Sequence, residues 1–319
     1  MNNDISELYD VISPSDNEII SKLSESDILD FLNLINQYKL VLRDGIGVNL
    51  GETFGVEIEC EYAKLEEISR KQLKHWGLHD DVSLQCGVEL KSPILTDNKK
   101  NWLEINKMCS MLSRYSKIGI NCGGHVHVGI QALKDSRKSL INFMKLWVVY
   151  EHIILRFSYG EFLGPRPAFN LIAKPVKLEY INLLKNYNKN YIDNDDLLYY
   201  LSNDKDKAVN FKHFDTLKTI EFRCPNGTFN PAIWQNNVNL FVNMLMYASD
   251  GNFDEEFINN KLKLSTFLNK TSLNVYLDEA LEFVDLIFNN NLDKICFLKQ
   301  YLKSFECIKN RTLVNSFMS

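Results

Sequence analysis

The sequence predicts a mixed α+β domain with helical ends. Short runs with a period of two alternate with longer helical runs between Thr53 and Thr228, the part before about Asn49 is polar with one amphipathic run, and beyond Gly251 strand patterns are absent. At 319 residues, 45% of them hydrophobic and 24% charged, the chain can bury a sizeable core, which excludes disordered and collagen-like classes. The 36 Lys and Arg against 41 Asp and Glu give a net charge of -5 without any long basic block, so a nucleic-acid partner is not expected. Seven cysteines without a Cys-x-x-Cys pair, behind a polar and acidic Met1 to Asp16, lead us to expect a reducing cytoplasm and no secretory leader. The most apolar stretch, Leu140 to Phe157, is interrupted by Lys145, Glu151, His152 and Arg156, so it reads as a buried helix and no membrane partner is expected.

In chain order, Ile28, Phe31, Leu32, Leu34 and Ile35 follow helical spacing within Ile28 to Val41. Thr53 to Tyr62 is a strand whose one face carries Phe54, Val56, Ile58 and Cys60 and whose other carries Gly55, Glu57, Glu59 and Glu61. Helices are expected over Lys64 to His75, Asn98 to Tyr115 with Asp97 as cap, Arg137 to Ser158 capped by Asp135 or Ser136, and Pro231 to Ser249. Three more strands follow the same logic. Gln85 to Ser92 sets Cys86, Val88 and Leu90 against Gln85, Glu89 and Lys91. His125 to Val128 sets two histidines against Val126 and Val128, and Thr219 to Cys224 sets Glu221 and Arg223 against Ile220, Phe222 and Cys224. Cys60, Cys86 and Cys224 fall on the apolar parity and read as buried core thiols. Asn186 to Lys207, rich in Asn, Asp and Tyr, reads as a mobile loop with a short helix around Leu197. The expected divisions are a helical lead-in over 1–48, a catalytic domain over 49–250 and a helical extension over 251–319 packed on the same domain.

Any one of these strands is compatible with a half-solvated antiparallel strand. The polar residues, however, are acids and histidines rather than the Thr, Lys and Gln of a plain solvent face. Two carboxylates on alternate residues of a strand lie roughly 7 Å apart, and on an enclosed face their repulsion raises one pKa unless a cation sits between them. Carboxylates with imidazoles and no cysteine pair favour Mg²⁺ or Mn²⁺ over structural zinc.

Gly55 to Glu59 (GVEIE), Asp81 to Pro93 (DVSLQCGVELKSP), Gly123 to Val128 (GGHVHV), and Thr219 to Thr228 with Asn230 (TIEFRCPNGTFN) together resemble the amidoligase family, carboxylate–amine ligases related to glutamine synthetase and γ-glutamylcysteine synthetase. The resemblance spans roughly Thr53 to Ser249. It implies a glutamine-synthetase-like curved antiparallel sheet whose polar concave face holds ATP, divalent ions and both substrates, with helices on the convex side. Carried over by position, it implies that Glu57, Glu59, Glu89, His125 and Glu221 bind metal, that His127 lies near the nucleotide phosphates, and that Arg223 neutralises the transferring phosphoryl group. ATP would phosphorylate a carboxylate and an amine would attack the acyl phosphate, with Mg²⁺ or Mn²⁺ as the ion.

The resemblance extends to weaker positions. Arg166, within GPRPAFNLIAKP, is similar to the family's substrate-side arginine, although its two flanking prolines also suit a structural surface residue. Asp81 and Ser83 orient a substrate or make the turn into the second strand. Lys91 meets a carboxylate or is a solvated strand lysine, and Gly123 and Gly124 let backbone approach a ligand or form a turn. Asn210 and Asn230 fit ligand-facing loops, Asn230 on the nucleotide side, while Glu61 is a candidate base for the amine. His152 reads as a packed helix residue rather than a ligand. No phosphate-cradling glycine loop is present, so ATP rests on the resemblance alone. The expected partner is an amino acid, peptide or protein carrying a carboxylate and an amine. Alternatives are a metal-dependent amide hydrolase, which would want late His and Asp ligands on barrel strands, and a catalytically silent nucleotide- or peptide-binding relative. The segment 251–319 carries no matching motif; with Asn186 to Lys207 it is the expected seat of substrate identity.

Overall fold

The computed structural model describes residues 25–48, 51–64, 67, 68, 73, 75–134, 137–191, 193–305 and 309. Most of the helix expected over Lys64 to His75, both candidate caps Asp135 and Ser136, and most of the chain beyond Phe305 lie outside the described residues. The strands are β1 (Thr53–Cys60), β2 (Gly77–Asp81), β3 (Gly87–Lys91), β4 (Leu95–Thr96), β5 (Gly124–Gly129), β6 (Val209–Asn210) and β7 (Thr219–Phe222). They form an open sheet in the order β2-β3-β1-β5-β7-β6, with β4 added to β1 and every pair antiparallel. The helices are α1 (Glu25–Gln37), α2 (Lys99–Tyr115), α3 (Arg137–Ser158), α4 (Phe169–Ile172), α5 (Lys177–Asn188), α6 (Asn194–Ser202), α7 (Pro231–Ser249), α8 (Glu255–Leu264), α9 (Leu277–Ile287) and α10 (Asn291–Tyr301).

Alternation divides the sheet into two unlike faces. Val56, Ile58, Leu90, Val126, Ile220 and Phe222 are buried on the apolar one. Aromatic side chains from three helices close over it. Trp102 of α2 stacks on Phe54 at 4.9 Å, Phe143 of α3 meets Phe222 edge-on at 6.1 Å, and Phe241 of α7 stacks on Phe222 at 4.0 Å.

Helix α3 is buried along nearly its whole length, as its composition predicts. The charged residues that interrupt its apolar run each meet a partner. Lys145 pairs with Glu255 of α8 at 2.8 Å, His152 Nε2 lies 2.8 Å from Glu279 of α9, and Arg156 donates to the carbonyls of Tyr301 and Leu273. Glu151 accepts from Trp147 Nε1 and from the backbone N–H groups of Val176 and Lys177, so it satisfies donors at the start of α5. The helices beyond residue 250 therefore answer polar groups on α3. Among the described residues no helix is long and apolar enough to cross a membrane.

Three local features differ from expectation. Strand β2 was not expected, because Gly77-Leu78-His79-Asp80-Asp81 lacks alternation and takes its extended form from pairing with β3. The cap of α2 is Asn98, which accepts from Asn101 N–H, whereas Asp97 turns away to accept from Ile46 N–H, Gly47 N–H and Trp102 Nε1. Cys86 is exposed rather than buried, because β3 begins one residue later and residue 86 turns with φ of 45°. The short helix expected around Leu197 is present as α6, started by an Asp193–Asp196 capping box, in a stretch 186–207 that also holds the end of α5.

Candidate functional site

The other face of the sheet carries the acids and histidines, and the strand register gathers them. Glu57 of β1 stands opposite His125 of β5 on one side and Lys91 of β3 on the other, Glu59 stands opposite Glu89, and His127 opposite Glu221 of β7. Above them opens a cavity of about 440 Å³. One wall is the β2–β3 turn with Asp80 to Ser83, and the other is the segment carrying Lys205, Asp206 and Lys212.

His125 is the centre of the cluster. Its Nδ1 lies 2.9 Å from Glu57, 3.4 Å from Glu89 and 3.4 Å from Glu221, and its Nε2 lies 3.2 Å from Glu59. Lys91 bridges Glu57 at 2.9 Å and Glu89 at 2.7 Å, and His127 Nε2 is 3.1 Å from Glu57. At the β7 end Glu221 takes Arg223 Nη1 at 2.6 Å and Asn210 Nδ2 at 2.6 Å.

Ionisation follows from this packing. Burial of Glu57 works to raise its pKa, but His125 and His127 beside it overcome burial and hold the carboxyl far below the ordinary range. Glu59 is likewise pushed up by burial and pulled down further by His125, Arg166 and the Gly123 N–H, to about 2. Burial and Arg223 act to lower the pKa of His125, yet Glu57, Glu59 and Glu89 raise it well above its usual value. Glu221 is lowered against burial by His125 and Arg223. With its own groups alone, the cluster answers the acids with a protonated imidazole.

The same groups fit a divalent ion. His125 Nε2 and His127 Nε2 are buried without an aligned hydrogen-bond partner, despite their short distances to carboxylates. Glu57, Glu89 and His125 offer ligand atoms all within 4.8 Å of one another, and so do Glu57, His127 and Glu221. Carboxylate oxygens with one imidazole suit Mg²⁺ and, more so, Mn²⁺. Glu59 belongs to neither group; its Oε2 accepts the Gly123 N–H at 2.5 Å.

Of the weaker candidates, Asp81, Ser83, Lys91 and Asn210 line the cavity. Asp81 Oδ1 also accepts from Ser83 N–H and Oγ, so the pair builds the turn that forms the wall.

Five other candidates stand elsewhere. Arg166 is 1% exposed and lies behind the cavity floor, where Nη1 donates to Pro225 O at 2.7 Å and Nη2 to Arg223 O at 2.9 Å. It holds the chain that carries Arg223 rather than reaching a substrate. A Cβ on Gly123 would stand 2.8 Å from the Arg166 guanidinium carbon, so the glycine makes room for that arginine. Gly124 faces the core, where the Trp234 ring occupies the space a side chain would need. Glu61 tucks against Gly119 at the bridge to Lys117, outside the cavity lining. Asn230 caps α7 through Ala232 N–H and lines a separate cavity with Glu161 and Lys309.

Sequence reasoning missed Asp80, Lys205, Asp206, Lys212 and His213, all of which line the cavity. Asp80 precedes a named candidate in an unexpected strand, and residues 205–207 fell in a stretch read as loop. The clustering of Lys205, Lys212 and His213 just before Glu221 was the one available hint.

A search among curated proteins finds no match to the chain. A family model described as "Putative amidoligase enzyme" matches residues 50–245.

Proposed function

Because the chain belongs to the amidoligase family, we propose that it is an ATP-dependent carboxylate–amine ligase acting through an acyl phosphate on an amino acid, peptide or protein. The observation that carries this reading is the collection of four carboxylates and two imidazoles on one open sheet face, bordered by Arg223, Lys205 and Lys212. A hydrolase needs one activated water. A site that unites a polyphosphate, a carboxylate and an amine needs cationic and anionic regions side by side, and this cavity has both.

In the proposed scheme a substrate carboxylate oxygen attacks the γ-phosphorus of ATP, the bond to the β-phosphate oxygen breaks, and ADP departs with the electron pair. The amine nitrogen then attacks the acyl carbon, phosphate leaves and the nitrogen loses a proton. Glu57, Glu89 and His125 would hold one divalent ion, and Glu57, His127 and Glu221 a second. Such ions neutralise phosphate oxygens and stabilise in-line transfer. Arg223 is kept aimed by Glu221 and by its own Nε–H to Ile172 O at 3.2 Å, so its charge is placed before the phosphoryl group arrives. Lys205 and Lys212 face the same space from the far wall. Asp80 and Asp81 give the opposite wall a negative charge suited to an incoming ammonium.

The test is incubation of the protein with Mg²⁺ and ATP, with and without pooled carboxylates and amines, while phosphorus species are followed. Pool-stimulated ADP and phosphate, lost in Glu57→Gln, is the expected result. AMP and pyrophosphate would replace acyl phosphate with adenylation, and absence of nucleotide binding would overturn the ligase reading.

A further inference from the structure

Beside the acidic cluster lies a second cavity of about 340 Å³ that shares Glu57, Lys91 and His127 with the first. Its floor is the continuation of the same sheet face, at Thr53 and Gly55 of β1, Gly129 of β5 and Thr219 of β7. Pro93, Ile94 and Leu217 form an apolar rim, and Ile94 and Leu217 are 83% and 64% exposed.

Gly55 is the informative residue. Glycine inside a strand costs about 0.5–1 kcal/mol relative to alanine and ordinarily marks a bulge, a tight contact or a backbone that another group must approach. The ladder through it is regular, Phe54 with Val128, Gly55 with His127 and Val56 with Val126, which removes the bulge. Its backbone is not left-handed, and a Cβ there would meet only Ser92 Oγ at 3.4 Å and His127 Cβ at 3.8 Å, both ordinary contacts. The neighbouring glycines differ: Gly123 makes way for Arg166, Gly124 for Trp234 and Gly129 for Gln131. Only Gly55 leaves its space to the cavity.

We propose that this cavity is the specificity pocket for a large apolar side chain of the amino-acid or peptide substrate, which lies over Gly55 while its polar groups reach the acidic cluster. The identity of the substrate rests on the ligase reading; the pocket itself does not. A nucleotide base fits less well, because its edge needs several hydrogen-bond partners and the polar side chains here are engaged. Gln131 Nε2 already donates to Gly51 O and Thr53 Oγ1, and Ser92 Oγ accepts from Val56 N–H and donates to Pro93 O. Apart from Glu57, Lys91 and His127, which belong to the acidic cluster, what is left is the exposed Lys218 at the rim, the amide oxygen of the exposed Gln131 and the Thr219 hydroxyl, which is buried without a partner. One hydroxyl suits the amide or phenol of a mostly apolar group.

The experiment is calorimetric titration of the full chain, with Mn²⁺ present, by glycyl dipeptides ending in leucine, phenylalanine, serine or aspartate, and separately by ADP. Turnover is not required, so the outcome is independent of the phosphorus assay. The wild type should bind the leucine and phenylalanine peptides at least about tenfold more tightly than the other two, about 1.4 kcal/mol. Gly55→Val should abolish that preference and leave Mn²⁺ affinity within about twofold, as expected for a change that touches no ligand atom. Gly55→Ala, whose single methyl the fold accommodates, should weaken the phenylalanine peptide more than the leucine one and guards against misfolding of the valine variant. Equal affinities in the wild type, no dipeptide binding at all, or an unchanged preference in a folded Gly55→Val protein would each overturn the proposal. Loss of ADP binding alone in the variant would assign the pocket to the base instead.

Discussion

Glu57 is the one residue common to both candidate ligand groups, and a comparison of three isosteric variants turns that into arithmetic. Glu89 belongs to the first group only, and Glu221 to the second only. At an effective dielectric of about 20, two unit charges 4 Å apart attract by about 4 kcal/mol, and desolvation and the remaining amide oxygen offset part of this. A net loss of about 2.7 kcal/mol per site corresponds to roughly a hundredfold weaker ion. Glu57→Gln should therefore weaken both sites, whereas Glu89→Gln and Glu221→Gln should each weaken one. The assay is the paramagnetic resonance of free Mn²⁺ during titration, at protein concentrations that saturate the wild type. The expected stoichiometries are about two ions for the wild type, about one for Glu89→Gln and Glu221→Gln, and near zero for Glu57→Gln. The fold should survive: His125 keeps Glu59, Glu89 and Glu221 nearby, and the lost Lys91 pair is partly exposed. A Glu57→Gln protein that binds as many ions as the wild type would refute the shared-ligand reasoning, as would loss of both ions on changing Glu89 alone.

Gly123→Ala should destabilise the fold by about 2–4 kcal/mol, from overpacking against the buried Arg166 and weakening of the bonds Arg166 makes to Pro225 O and Arg223 O; urea unfolding within about 0.5 kcal/mol of wild type would contradict it. Glu255 carries a pH dependence. Lys145 hydrogen-bonds its carboxyl and lowers its pKa below the ordinary 4.5, so the unfolded chain binds the proton more readily, and the stabilisation is full above that value and fades as pH falls through the folded pKa. Glu255→Gln should melt below the wild type at pH 7 and level with it near pH 2, a gap that persists in acid being the contrary result.

Strand parity alone placed Glu57, Glu59, Glu89, His125, His127, Glu221 and Arg223 on one face, because the period of two needs no knowledge of partners. Which of them meet was not legible, since register depends on pairing across the sheet: nothing local says that Glu57 rather than Glu59 faces His125. Two-residue strands such as β4 and β6 carry no period at all. Arg166 misled for a different reason. Two prolines and few neighbouring charges resemble a surface loop, and only the fold reveals that backbone carbonyls of residues 223 and 225 surround its guanidinium. Asp97 and Asn98 are both competent caps, and the choice between them was decided by the Ile46–Gly47 backbone, far away in sequence.

The ends of the sheet would set the direction from which a long substrate of the proposed ligase arrives. At one end β6 offers only two residues for further pairing. At the other, β2 is longer but presents His79 and Asp80 exposed and Asp81 at its tip. A charged border of this kind discourages a visiting strand from extending the ladder, the route by which exposed sheet borders commonly capture extended chains. On the ligase reading proposed above, a peptide or protein terminus would instead descend end-first onto the open face, between the walls formed by residues 80–83 and 205–212. Terminal or side-chain groups are then reachable, and the middle of an extended chain is not.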